Sequence, residues 1–187
     1  MTDPSITILG IPGSLRRASV NRGLLRAAQA VAPWGVAVEI LDLAPIPFYN
    51  PDVEALGPPA PVIELRERIA RADALMLTVP EYNHSFTAVL KNALDWASRP
   101  RPVSVLLRKP VALMGAGGGF GTVRSQMALR PVLASNEAYL LPKPELYVVG
   151  AAERFDLEGN LTDDSVREAV RELVSALAAW AHRLRSD

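Results

Sequence analysis

Two short runs constrain this chain most: Ala74-Leu75-Met76-Leu77-Thr78-Val79 and Val111-Ala112-Leu113-Met114 are apolar nearly throughout instead of alternating with polar residues. A strand with one wet face alternates, whereas a run with no polar side fits a central parallel strand covered on both faces. Parallel neighbours need crossover connections, and the rest of the chain has the patterns to supply them. Further strand-like runs are Ser5 to Ile11, Ala37 to Asp42, Lys109 to Ala116 around the second apolar run, and the region from Ala138 through Val148. Helical patterns lie between them. Leu24, Leu25, Ala28 and Val31 line one face after the first run, and Leu65 and Ile69 do so before the third. The clearest helix is the last, with Val166, Ala169, Val170, Leu173, Val174, Leu177, Trp180, Ala181 and Leu184 at helical spacing. Its start has two readings: Ser165 with Glu168 matches a capping box, and Thr162 followed by Asp163 and Asp164 offers an earlier cap. The alternation predicts a right-handed βαβ series: an α/β three-layer sandwich of five parallel strands with helices on both faces. One domain over residues 1–187 is the expectation from length.

Composition then removes whole classes of chemistry. With no Cys, the chain has no thiol nucleophile, disulfide or Cys-ligated metal. Only His84 and His182 are present, so a multi-histidine metal site is not expected. The 20 Lys plus Arg balance 20 Asp plus Glu, which argues against a nucleic-acid or anionic-membrane surface. Met1-Thr2-Asp3-Pro4 lacks the positive start of a signal peptide, and no run approaches the ~20 apolar residues of a membrane helix. A cytoplasmic protein is expected. If it is an enzyme, something other than its own side chains carries the reactive electrons.

Packing does not explain two stretches. Leu43 to Pro61 holds Pro45, Pro47, Pro51, Pro58, Pro59 and Pro61, too long and stiff for an ordinary loop. Gly115 to Gly121 directly follows the fourth run, and loops after strand C-termini are where open parallel sheets bind ligands. The first such loop, Gly13-Ser14-Leu15-Arg16-Arg17-Ala18-Ser19-Val20-Asn21, offers a phosphate backbone N–H groups, a helix N-terminus, two hydroxyls, an amide and an arginine. It reads equally as a turn with Ser19 as helix cap. No Lys follows its glycine, so it is not a Walker loop. The later Gly cluster has Phe120 where a dinucleotide fingerprint needs its third glycine. Glycines there let the backbone approach a flat ring closely. After the third run, Pro80-Glu81-Tyr82-Asn83-His84-Ser85-Phe86 packs polar and aromatic side chains into a loop at the same sheet edge. Tyr82 or Phe86 would lie against an aromatic cofactor, or Glu81 and Asn83 simply cap the next helix.

Together these residues resemble the NAD(P)H-dependent FMN reductases of flavodoxin-like fold, the group that includes bacterial quinone, chromate and azo-dye reductases. The matching segments, in order, are Gly13-Ser14-Leu15-Arg16 with Ser19 and Asn21, then Pro80-Glu81-Tyr82-Asn83 with Leu90-Lys91-Asn92-Ala93-Leu94-Asp95-Trp96, then Gly115 to Gly121. The likeness covers roughly residues 5 to 180. It implies sheet order 2-1-3-4-5, bound FMN, NAD(P)H as co-substrate, and a homodimer or homotetramer. It implies that Ser14, Arg16, Ser19 and Asn21 hold the FMN phosphate. Pro80, Glu81, Tyr82 and Asn83 would lie along the isoalloxazine ring, with Gly117, Gly118 and Gly119 at its other edge. Hydride would pass from NAD(P)H to flavin N5 and electrons on to a quinone or similar small acceptor in a ping-pong cycle, with no side-chain nucleophile and no metal. Family members usually carry Pro and a small residue before the Leu-Lys-Asn helix, and here Thr87-Ala88 stands in that place. Thr can cap the helix that Pro would start.

Two other function classes fit the same fold. A flavodoxin-like electron carrier would serve protein partners, but zero net charge and Arg16 weigh against it. A non-enzymatic module would show an emptied or blocked site, and all three segments are intact. His84 is a solvated loop residue or a proton donor, and His182 sits on the polar side of the last helix. Trp34 and Trp180 read as core or helix packing, Trp96 as core or subunit interface. The acceptor's identity and the choice between NADH and NADPH are open at this level.

Overall fold

The two apolar runs become the middle of a parallel sheet. A computed structural model describes residues 6–100 and 104–185. Strand β1 (Ile6–Pro12) leads to helix α1 (Val20–Val31) and β2 (Val36–Ile40). Two helices follow, α2 (Pro51–Ala55) and α3 (Ala60–Arg71), then β3 (Ala74–Thr78), α4 (Ala88–Ala97) and β4 (Pro110–Ala116). The remainder is α5 (Val123–Ser135), β5 (Tyr139–Leu140), β6 (Leu146–Val148), α6 (Ala151–Arg154) and α7 (Asp164–Arg185). Ser5, expected to open the first strand, lies outside the described residues. The sheet order is β2-β1-β3-β4-β5 with β6 also on β4, and every pairing is parallel.

Alternate residues of each central strand enter opposite cores. Ala74 and Met76 of β3 join Ile8, Leu24, Leu25, Leu173 and Leu177 on the α1/α7 side. Leu75 and Leu77 join Leu9, Leu65, Ile69, Leu90 and Leu129 on the α3/α4/α5 side. Each fully buried Leu or Met stabilises the fold by roughly 1.5–3 kcal/mol, and these have no polar face to hydrate, which is why the runs do not alternate.

The fifth strand differs from the single run expected over Ala138 to Val148. Two short segments share one edge of β4, β5 at Pro110 and Val111 and β6 at Met114 to Ala116. Pro142 and Pro144 lie between them, and neither has an N–H to carry the ladder across. Helix α7 begins with neither expected cap. Asp163 does the capping, its Oδ1 accepting the Val166 N–H at 3.0 Å and the Ser165 hydroxyl at 2.6 Å.

The Pro-rich stretch is fastened down by α4. Pro47 O accepts from both Asn92 Nδ2 at 2.9 Å and Trp96 Nε1 at 2.8 Å, and the Tyr49 N–H donates to Asn92 Oδ1. Trp96 is fully buried, its ring nearly perpendicular to that of Tyr49 with centroids 4.9 Å apart, and its core reading holds. Trp34 is 92% exposed and packs in no core, a correction to its reading as a packing residue. Trp180 packs against the α1/α7 core. No helix among the described residues is long and apolar enough to cross a membrane.

Candidate functional site

The loops after β1, β3 and β4 meet at the C-terminal edge of the sheet, and each is shaped by close backbone contact. Gly13 ends the sheet pairing of β1, its N–H donating to Thr78 O at 3.0 Å. A Cβ on Gly13 would stand 2.6 Å from both Pro80 Cδ and Thr78 O, so only glycine lets the first and second loops touch. Thr87 fastens the same junction. Its hydroxyl donates to Gly13 O at 2.7 Å while its oxygen accepts the Leu90 N–H, which caps α4 where a family Pro would start it.

Beyond Gly13 the first loop presents donors. The N–H groups of Ser14 and Leu15 have no acceptor among the described residues, and the first-turn N–H groups of α1 face the same way. Ser19 caps α1 by accepting the Arg22 N–H at 3.3 Å, which leaves its hydroxyl hydrogen for a ligand. Both readings of Ser19 are therefore compatible. Arg16 is exposed and folds one Nη2 N–H onto Ala18 O at 2.8 Å. Asn21, buried, makes a reciprocal pair with the backbone of Ala116: Nδ2 donates to Ala116 O at 2.9 Å and Oδ1 accepts from Ala116 N at 3.1 Å. One amide N–H remains.

In the second loop the Glu81 side chain is committed elsewhere. Oε1 accepts from Arg124 Nε at 2.6 Å, and Oε2 accepts the backbone N–H groups of Arg124 and Ser125 at 3.2 and 3.3 Å. Glu81 thus caps α5, a helix whose own N-cap Thr122 makes no side-chain cap bond. Arg124 also lies 4.6 Å over the Phe120 ring and touches His84 Nε2 at 3.2 Å. Tyr82 and Ser85 exchange backbone hydrogen bonds across Asn83 (φ 49°) and His84 (φ 64°), a reversal whose two central residues both sit in the left-handed region. Asn and His are among the few side chains that tolerate it.

The third loop is tight at its ends and open in its middle. A Cβ on Gly115 would lie 2.1 Å from Thr122 Oγ1, and one on Gly117 would lie 2.2 Å from Gly121 O. Cβ atoms on Gly118 and Gly119 would meet nothing within 4 Å, and neither N–H has an acceptor among the described residues. A flat ring with carbonyl and ring-nitrogen acceptors fits such an edge.

Ser14, Arg16, Ser19, Asn21, Pro80, Glu81, Tyr82, Gly117, Gly118 and Gly119 line one cavity of about 300 Å³. Asn83 does not, because it occupies the turn behind Tyr82. Phe120 of the glycine loop also lines it, as does Arg124, which the sequence does not single out. The signal for Arg124 was its place in the first turn of the helix after the glycine loop. The charge is divided along the cleft, with Arg16 and orphan N–H groups at one end and the Glu81–Arg124 pair closing the other.

The sequence model of the family described as NADPH-dependent FMN reductase matches residues 6–153. An NAD(P)H-dependent FMN reductase of Pseudomonas aeruginosa is 46% identical over 181 residues, covering 96% of this chain and 97% of that protein. An Arabidopsis thaliana NADPH:quinone oxidoreductase is 41% identical, covering 97% and 95%. Among solved structures, the flavoenzyme NAD(P)H:(acceptor) oxidoreductase FerB of Paracoccus denitrificans superposes with a TM-score of 0.85 at 31% identity, covering 95% of this chain and 98% of that one. The matched span contains all three loops of the cleft, and this chain belongs to the NADPH-dependent FMN reductase family.

Proposed function

We propose that the chain is an FMN-dependent reductase that takes reducing equivalents from NAD(P)H and passes them to a quinone or similar small acceptor. The observation that carries this reading is the cleft itself: a donor-rich, cationic end and an open glycine edge lie in one cavity on a family-matched sheet edge. Relatives described as NAD(P)H-dependent FMN reductase and NADPH:quinone oxidoreductase support the nicotinamide and the acceptor class.

Ser14, Arg16, Ser19 and Asn21 hold the FMN phosphate, through hydroxyls, the guanidinium donors not spent on Ala18 O, and the remaining amide N–H. The Pro80 carbonyl, the Tyr82 backbone and the exposed Tyr82 ring lie along the isoalloxazine system. The Gly118 and Gly119 N–H groups meet its other edge, and Gly117 lets the loop fold back to allow this. Glu81 contributes its backbone, its carboxylate staying with α5, and Asn83 sets the turn that presents Tyr82. When bound, the flavin supplies the two-electron chemistry at N5, so the protein's tasks are binding, orientation and stabilising charge with aligned N–H groups. A single domain over 1–187, a homodimer or homotetramer and a cytoplasmic location complete the reading.

The test is the visible spectrum of the purified chain, with steady-state oxidation of NADH and NADPH across a quinone panel. Yellow protein with quinone-dependent turnover is expected. A colourless chain that added FMN does not activate overturns the reading.

A further inference from the structure

The segment from Ser14 to Ser19 has no sheet partner of its own, so something else must hold it in place. On its outer side stands a turn just beyond the family-matched span. Phe155 and Leu161 bridge in antiparallel fashion, and Asp156 closes the turn between them. Asp156 Oδ1 accepts the Asn160 N–H at 2.7 Å and Oδ2 accepts Asn160 Nδ2 at 3.0 Å, while the Gly159 N–H donates to Asp156 O at 3.0 Å.

This turn meets α1 backbone to backbone. Gly159 has φ 76°, and a Cβ on it would lie 2.8 Å from both the carbonyl carbon and oxygen of Ala18 and 3.1 Å from Ser19 C. A Cβ on Gly23, one turn into α1, would lie 1.9 Å from Gly159 O. Arg26 locks the contact from the helix side, donating from Nε to Asn160 Oδ1 at 3.0 Å and from Nη2 to Gly159 O at 2.9 Å. Ala18 O, against which Gly159 is pressed, is also the acceptor that orients the Arg16 guanidinium. No residue of the turn lines the cleft.

We propose that Gly159 is a positioning residue for the cofactor phosphate, setting through Ala18 where Ser19 and Arg16 stand; this rests on the cofactor reading above. Two facing glycines bring the turn closer than any side chain would permit, and the consequence falls first on the phosphate end of the cleft, whose Ala18 and Ser19 the turn abuts. Among the described residues, Asp156 to Asn160 make no hydrogen bond to the loops that build the ring end.

The test compares FMN with riboflavin, which has the same ring and no phosphate. Full-length Gly159→Ala, and Asn160→Ala as a gentler variant that removes the Oδ1 acceptor of Arg26 Nε and the side-chain bond to Asp156 Oδ2 but leaves the backbone bonds of the turn, are titrated with each flavin beside the unaltered chain. In Gly159→Ala the Kd for FMN should rise about tenfold and that for riboflavin by less than about twofold, with a smaller shift of the same kind in Asn160→Ala. A general loss of structure would weaken both flavins together. Equal weakening of the two, or an unchanged ratio in both variants when the unaltered chain binds FMN, overturns this proposal alone. An unaltered chain that binds neither flavin overturns the cofactor reading and this proposal with it.

Discussion

Replacing Glu81 by Ala separates two roles that its position at the cleft leaves entangled. The carboxylate accepts two backbone N–H groups of α5 and the Arg124 guanidinium, and its side chain is only 10% exposed. Losing a helix cap costs about 1 kcal/mol, and losing a favourable charge at a helix N-terminus costs roughly 0.5 kcal/mol. The ion pair adds about 1 kcal/mol at most, because the Arg124 side chain is 40% exposed. The total, about 2 to 2.5 kcal/mol, corresponds to a fall in Tm of roughly 4–10 °C for a chain of this size. Glu81→Gln keeps an acceptor for the N–H groups and should lose about half as much. Thermal unfolding followed by circular dichroism, with flavin titration below the transition, reads both effects. If Glu81→Ala melts within about 1 °C of the unaltered chain yet no longer binds FMN, the carboxylate serves the ligand and its assignment to α5 is refuted.

The remaining predictions concern packing, the glycine loop and acid stability. Trp96→Phe removes the hydrogen bond to Pro47 O and part of a fully buried ring, and should cost about 2 kcal/mol in denaturant titration with kcat little changed. Gly117→Ala, whose Cβ would fall 2.2 Å from Gly121 O, should destabilise the fold by about 2 kcal/mol. Gly118→Ala, with open space around its Cβ, should leave Tm within about 1 °C while weakening FMN binding. The Asp163 carboxyl is held at about 2, below its ordinary 3.8, chiefly by the Ser165 hydroxyl and then by the Val166 N–H, with Arg154 adding a smaller pull. A depressed folded value means the stabilisation is complete above pH about 4 and is lost as pH falls toward about 2. Acid unfolding of Asp163→Asn should therefore depend less steeply on pH across that window than unfolding of the unaltered chain.

Local rules made the sheet legible because β3 and β4 are buried on both faces, and burial on both faces leaves a mark that needs no knowledge of partners. The interruption between β5 and β6 was written in Pro142 and Pro144, which the apolar content of the region outweighed in the reading. The cleft was legible for the residues whose backbone or small side chains face it. Glu81 was harder: a carboxylate ahead of a helix looks like the cap of that helix, yet Thr87 caps α4 and Glu81 reaches α5, 43 residues further on. The contact of Gly159 with Ala18 has the same character. Nothing in the neighbourhood of either residue announces a partner so distant in sequence. Trp34 misled for the opposite reason, since a large aromatic ring favours burial on average and this one stands almost wholly in water.

The reciprocal pair between Asn21 and Ala116 joins residues 95 apart in sequence with two hydrogen bonds on one amide. Asn21 stands at the phosphate end of the cleft, and Ala116 is the last residue of β4 before the glycine edge. Their bond therefore acts as a gauge block: it fixes the span between the anchoring end and the ring end, so that a ligand's length is measured before its chemistry is. Neither end can slide to suit a shorter or longer molecule without breaking both bonds at once.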